Sequence, residues 1–452
     1  MSLLDKFFET NIKEPYILVC SSKSQMLFSK ELLDKENIDN ELIPTPKGFG
    51  EVCTTAIKFD KKHKNKVKRI TNENNIEVLS ISSLENKYKY NLSEIYDMNI
   101  SKDFKNIINK IEANTDLNKE EVKYLLSIEN EDEYNALIRT ADIIRKECVG
   151  DRIEIRAAIE FSNYCIKNCN YCGVRKDNST NRYRMNKKEI LNVVDSLYKI
   201  GIKTVILQSG EDPYYTTDKI LSIIKEVKDK YKMGITLSIG ERTQEEYKIF
   251  SDAGVNNYLL KIETASRRLF NKIHPDDDFD DRVKHHKFIR DAGIRLGSGG
   301  MIGLPTQTID EIADDILFQR DYGVHMIGFG PFLPAKGTPY ENESKGDLKL
   351  TLKVVAITRI VCQHVFLPAT TAIASLHPDG QTLALMAGAN TIMLISTPNH
   401  LRESYQIYSQ KNMVDLSFAI KSTKDSKRKL PKYLNYSYLK SIGYDIDDKL
   451  IK

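Results

Sequence analysis

The chain lacks tryptophan altogether, and it has no apolar run near the roughly 18 residues that a membrane-spanning helix needs. No spanning helix is therefore expected. It also lacks a strong charge of either sign: 67 Lys and Arg stand against 63 Asp and Glu, and the small positive excess is spread over many lysines rather than gathered in one basic block. Nucleic acid is not an implied partner. Asp5, Lys6 and Glu9 break up the apolar residues of the N-terminus, which does not read as a secretory leader, so a cytoplasmic protein is expected. Cysteine is scarce, with seven in 452 residues, and four of these (Cys20, Cys53, Cys148, Cys362) are scattered. An odd count without clustering excludes a disulfide framework.

The other three cysteines are concentrated. Cys165, Cys169 and Cys172 form a C-x3-C-x2-C cluster just after the apolar run 153–161. Three thiolates so spaced, on a loop leaving a strand, can hold three corners of a cuboidal 4Fe-4S cluster and leave one iron without a protein ligand. Such an open iron can chelate a small molecule and pass an electron into it. Structural zinc would want four ligands, and no further Cys or His lies within a short loop of Cys172. Reduced thiols beside an oxygen-labile cluster suit an anaerobic cytosol.

The length accommodates a large core plus a smaller module. Residues 1–85 read as a small α+β unit: strands at 16–20, 41–44 and 76–81, a helix over 24–35, a Pro/Gly-rich turn, an apolar stretch 52–59 and a basic polar segment. Residues 86–102 have no periodicity and read as a linker. Residues 103–452 begin with helical segments (119–128, 135–146), after which strands alternate with helices, the pattern of a parallel sheet. The predicted strands are 153–161, 203–208, 234–239, 257–262, 294–298, 326–330, 364–370 and 391–395. Eight such units close into a (β/α)8 TIM-type barrel, whose functional groups sit on loops at the C-terminal ends of the strands.

The polar motifs fall at those ends. After the second strand come Gln208, Ser209, Gly210 and Glu211, where the glycine lets backbone approach a ligand and Glu211 can accept from an ammonium group. The third ends in Gly240-Glu241-Arg242, where Arg242 suits a carboxylate or pairs with Glu241. The fourth ends in Glu263, a carboxylate on an apolar strand that needs a ligand or neighbour to offset its desolvation. Glycines 297–303 permit a close backbone lining, and Thr370 and Thr371 place two hydroxyls at the seventh strand tip.

In this order the motifs resemble the radical S-adenosylmethionine (SAM) superfamily, and within it the FeFe-hydrogenase maturases of the HydE family. The matching segments are 160–163 leading into the cysteines, 208–212, 240–242, Glu263-Thr264, His274-Pro275, 297–305, 368–372 and 402–408. The resemblance implies that Cys165, Cys169 and Cys172 ligate the cluster and that the SAM amino and carboxylate groups chelate its open iron. It further implies Tyr171 beside the adenine, Glu211 on the amino group, Glu263 on the ribose and Arg282 on the carboxylate. Gln208, Ser209, Thr370, Thr371, Arg402 and Tyr405 would line an inner cavity for a small iron-containing or amino-acid-derived substrate, with other maturases as possible partners. Two departures stand out: Cys362 is alone in its half, so a second C-terminal cluster has no support, and Lys261 stands where these maturases commonly have Arg. The N-terminal unit resembles a selenium/sulfur carrier-like domain, in which Cys53 would be the carrier thiol, although Thr54 replaces the glycine of that family's Cys-Gly pair. The alternatives left open are a methylornithine synthase-like or other biotin-synthase-related enzyme, and a carrier of sulfur or iron-sulfur without radical chemistry.

Overall fold

The computed structural model describes residues 12–45, 55–84 and 90–452. Cys53 lies outside them. In the N-terminal unit β1 (Pro15–Cys20), β2 (Asn40–Pro44), β3 (Thr55–Asp60) and β4 (Val78–Ser83) form an antiparallel sheet in the order β2-β3-β1-β4. The helices Lys23–Lys35 and Lys64–Glu73 accompany it. The second lies in the segment read as merely basic and polar; its lysines are on the outer face while Val67 and Ile70 are buried. Leu18, Leu33, Ile57 and Phe59 anchor a core of the unit's own.

The larger unit is built on β5 (Glu154–Ser162), β6 (Thr204–Ser209), β7 (Gly234–Ser238), β8 (Asn257–Leu259), β9 (Arg295–Ser298), β10 (Met301–Ile302), β11 (Met326–Ile327), β12 (Gly330–Pro331) and β13 (Thr391–Ile395). Seven of these form a parallel sheet in the order β11-β9-β8-β7-β6-β5-β13, and β10 and β12 pair separately above it. The predicted seventh strand, 364–370, is not a regular strand. It is reduced to two parallel bridges, Met326 to Phe366 and Pro368 to Thr391, which connect the two edges of the sheet. Pro368 has no N–H to donate there, so a regular ladder cannot run through it.

Parallel register carries a consequence for the lumen. Ile159, Leu207 and Leu237 pair in one tier and belong to the core beneath the outer helices. The next tier, Glu160, Gln208 and Ser238, therefore points the other way, into the barrel.

The helices Lys119–Leu126 and Glu131–Val149 pack against Leu348–Cys362, and Lys102–Glu112 adds Phe104, Ile107, Ile108 and Ile111 to the same core. The expected linker differs in its second half: Tyr90, Leu92, Ile95 and Ile100 are buried in the barrel's core, so this stretch is part of the larger unit. Four apolar side chains separated by polar ones escaped notice because the stretch is too short to show a period. The N-terminal unit lies against segments that lead into β9 and β11, where Arg290 faces Glu41 at 3.7 Å. That is the end of the barrel opposite the cysteine loop.

Candidate active site

The cysteine loop leaves the tip of β5 and is fastened on several sides. Asn170 N–H donates to the Ile273 carbonyl (2.8 Å), Gly173 N–H to the Ile407 carbonyl (2.9 Å), and Asn168 N–H to Asp276 (2.8 Å). Glu211 N–H points at Cys165 Sγ (3.4 Å). Gly210 has to be glycine here, because a Cβ would fall on the Tyr164 carbonyl and 2.8 Å from Cys165 Cβ. All three cysteines stand outside any disulfide and are partly buried.

Burial pushes all three thiols up, Cys172 to about 12, and for Cys169 and Cys172 the charge of neighbouring thiols adds to it. The loop thus holds three sulfurs near one another without enough protein cations to ionise them, a donor set that calls for a metal-containing partner. Among the described residues no three Cys, His, Asp or Glu side chains converge as they would on one metal ion. A cuboidal cluster takes one thiolate per iron, so neighbouring thiols need not converge on a single point to hold it.

Around this loop the strand tips supply a charged ring. Glu211 Oε2 accepts from Glu241 N–H (3.1 Å), and burial raises its carboxyl above the ordinary range. Lys167, between the first two cysteines, stands 3.6 Å from Glu241 and 3.5 Å from Asp277. Against burial, the carboxylates of Glu211, Asp277 and Glu241 keep its ammonium charged.

Glu263 adopts φ +61°, unusual for a residue with a Cβ, and its Oε2 is buried without a hydrogen-bond partner. Lys261 Nζ approaches it only to 3.7 Å. A strained backbone carrying an unsatisfied carboxylate oxygen is the signature of a position shaped for a ligand. Gly300 lets the facing chain pass, since a Cβ there would come within 2.5 Å of the Glu263 carbonyl oxygen. Tyr171 packs with Ile273, Leu304, Phe332 and Tyr340, and its hydroxyl meets His274 Nε2 at 3.2 Å. His274 is held neutral by burial and by the charge of Arg282.

Two arginines differ from expectation. Arg282 is fully engaged by protein: Nε with Glu241 (2.6 Å), Nη2 with Asp277 (2.5 Å) and Nη1 with the Lys261 carbonyl (2.6 Å). Arg242 pairs with neither Glu241 nor an open site; its Nη1 stands 3.6 Å from Glu246 and its Nη2 donates weakly to the Tyr215 carbonyl. Position in sequence identified both as cations at the mouth but could not show that loop carboxylates at 241 and 277 take up Arg282 and that Glu246, on the helix Gln244–Asp252, stands beside Arg242.

Deeper in the lumen Tyr405 is buried beside Gln208, to which it is hydrogen bonded, and within electrostatic reach of Glu160 and Cys172. Thr370 Oγ1 donates to the Phe329 carbonyl (3.3 Å), and Thr371 opens the helix Thr371–Leu376. Ser209 Oγ is turned back on the Gly210 carbonyl (2.6 Å), and Arg402 Nε donates to the Thr397 carbonyl. The sequence reading missed a buried ion pair here, Lys411 with Glu160, whose other oxygen accepts from Thr397 (3.1 Å). Glu160 ahead of the cysteines was the available signal. Lys411 had none, because 251 residues separate it from its partner.

The chain is similar to known proteins in sequence and in fold. The model of the Radical SAM superfamily matches residues 159–318, and that of the family described as "Putative Se/S carrier protein-like" matches residues 15–83. The FeFe hydrogenase maturase subunit HydE of Thermotoga maritima is 45% identical over 306 residues, 68% of this chain and 87% of that protein. The 3-methylornithine synthase of Methanosarcina acetivorans is 28% identical over 288 residues, 63% of this chain and 81% of that protein. In fold, the crystal structure of methylornithine synthase (PylB) superposes with a TM-score of 0.66 at 24% identity, covering 73% of this chain and 98% of that one. The FeFe-hydrogenase maturase HydG gives 0.65 at 24% identity, covering 77% and 79%.

Proposed function

The chain belongs to the radical SAM superfamily and, within it, to the HydE family of FeFe-hydrogenase maturases, and from that premise we propose how its own residues serve the chemistry. A 4Fe-4S cluster, when bound, supplies one electron to the sulfonium of SAM, releasing methionine and a 5′-deoxyadenosyl radical. Cys165, Cys169 and Cys172 hold that cluster, and Gly210 and the Glu211 N–H keep the first thiol against the β6 tip. Glu211 receives the SAM amino group, with Lys167 and Glu241 fixing its orientation. Glu263 receives ribose hydroxyls through its unpartnered Oε2. Tyr171, anchored on His274, lies against the adenine. Arg282 acts through Glu241 and Asp277, ordering the carboxylates beside the amino group, and Arg242 orders the same turn from Glu246.

Gln208, Ser209, Tyr405, Thr370, Thr371 and Arg402 line the lumen into which the radical would be delivered. Hydrogen-bond donors there suit a compact anionic, iron-containing substrate on the way to the two-iron subcluster of the hydrogenase. The observation that carries this reading is the buried oxygen of Glu263, left unsatisfied on a strained backbone at the same barrel mouth as three cysteines free of disulfides. We also infer that residues 12–84 form a separable module that carries sulfur or docks a partner, with Cys53 as its thiol. Cys53→Ala leaving maturation in the cell unchanged would remove the carrier version.

The test is anaerobic incubation of cluster-reconstituted protein with reductant and SAM. Release of 5′-deoxyadenosine and methionine in equal amounts is expected. An intact cluster whose spectrum ignores SAM, with no 5′-deoxyadenosine formed, would leave only the carrier reading.

A further inference from the structure

Outside the strand ring, on the helix Ile309–Asp321, Asp315 is completely buried, and among the described residues no ion pair reaches it. It nevertheless receives three donors. Oδ1 accepts from Thr264 Oγ1 (3.0 Å) and from the Ala265 N–H, and Oδ2 accepts from Gln307 Nε2 (3.1 Å). Gln307 passes the connection on: its Nε2 also donates to the Met301 carbonyl (3.1 Å), and its Oε1 accepts from the N–H groups of Gly303 (2.8 Å) and Leu304 (3.2 Å). Two turns of the barrel mouth, 263–266 and 301–304, are thereby tied to one carboxyl group. One carries Glu263 in its strained conformation, and the other contributes Met301 and Leu304 to the apolar cluster around Tyr171.

We propose that Asp315, acting through Gln307, is a positioning residue for SAM, fixing the ribose-facing and adenine-facing turns in register so that it sets the affinity for SAM without touching it. This rests on the SAM-binding reading above. A left-handed residue persists only where its surroundings over-determine it, and the hydrogen bonds on Thr264 and Ala265 do this for Glu263. They add to the backbone bonds of Glu263 itself, whose N–H donates to the Gly299 carbonyl (3.1 Å) and whose carbonyl accepts from the Met301 N–H (3.1 Å), while its carboxylate has only Lys261 at 3.7 Å.

The clamp is also sensitive to protons. Three donors converge on Asp315, so only the carboxylate satisfies them all; a proton on Oδ2 would face the Gln307 amide and break the connection. Burial raises Asp315 to about 7, and Asp314 and Glu311 on its own helix push the same way. Those two are balanced from neighbouring elements by Lys119 and Arg268 respectively, and Gln307 and Thr264 bring no charge. SAM affinity is therefore expected to fall as pH drops through about 7.

Stability runs the opposite way. A folded-state value above that of the unfolded chain, about 3.9, means that the protein is favoured below the unfolded value and loses that contribution as pH rises through about 7.

The test uses the full chain with its cluster reconstituted, measuring SAM binding by equilibrium dialysis between pH 6 and 8.5. Wild type should bind more weakly below pH 7. Asp315→Asn should weaken binding about tenfold at pH 8 and abolish the inflection, while turnover at saturating SAM stays within about twofold. Gln307→Leu, on a partly exposed loop, should reproduce both effects and carries the test alone if the first variant does not fold. A second readout needs no cofactor: thermal unfolding of Asp315→Asn should lose the decline in stability that wild type shows as pH rises from 4 to 7. Unchanged affinity and unchanged pH dependence in both variants overturn the proposal. A wild type with an intact cluster that binds no SAM at any pH overturns the functional reading, and the clamp's role falls with it.

Discussion

Lys411 and Glu160 show how much a single residue can depend on one far away. Both are almost sealed from solvent, and each neutralises a charge that could not otherwise stay in the lumen. Removing one member leaves the other unpaired, so Glu160→Gln and Lys411→Met should each cost about 3–5 kcal/mol, whereas the double variant should cost far less. Anaerobic denaturant unfolding of the three variants checks this; a double variant that loses the sum of the two single losses would mean that the two side chains do not support each other. At the cluster, Cys172→Ser should abolish both the iron-sulfur absorbance and SAM cleavage, while the barrel, whose core does not include the thiol, keeps its unfolding midpoint within a few degrees. The cysteines, Glu211 and Glu263 were legible because their types and spacing already state their chemistry. The partners of Arg282 and Arg242 were not, since the pairs with Asp277 and Glu246 depend on how the loop before the helix Phe279–Asp291 and the start of the helix Gln244–Asp252 fold at the barrel mouth.

Among the elements, the loop 163–173 depends on the close approach of β6. Gly210→Ala would drive a methyl group into the Tyr164 carbonyl and Cys165, displacing the first thiol. A cost of roughly 1–3 kcal/mol and a several-fold loss of bound iron are expected, with iron per chain as the measurement. Full iron retention would show that the loop can shift without harm. Strand tips were readable from sequence because apolar runs ended in polar motifs at regular intervals. The segment 364–370 was misread for the same reason: it has strand composition, but Pro368 and the single bridges from Phe366 to Met326 and from Pro368 to Thr391 make it a closure between two edges. The helix Lys64–Glu73 was missed because its apolar positions are few, and only packing on the module's sheet reveals its inner face.

For the whole molecule, the two separate cores imply two partly independent folding units. Leu33 is fully buried in the small core, and Leu33→Ala should lower that unit's stability by about 2–5 kcal/mol. Hydrogen exchange should show the loss confined to residues 12–84, with cleavage of SAM unchanged. Spread of the loss into the barrel would mean that the contact between Arg290 and Glu41 couples the units more tightly than its 3.7 Å separation suggests.

The sequence by itself determined the chemistry and the class of fold: thiols at close spacing, acidic strand tips and alternating strands and helices are local patterns, and local patterns survive in one dimension. Only the tertiary structure decided which charges remain available, which backbone is strained, and that Asp315 and Gln307 join two turns while Lys411 reaches back to Glu160. Those outcomes depend on desolvation and on contacts between residues tens to hundreds of positions apart, and neither quantity exists until the chain has closed on itself.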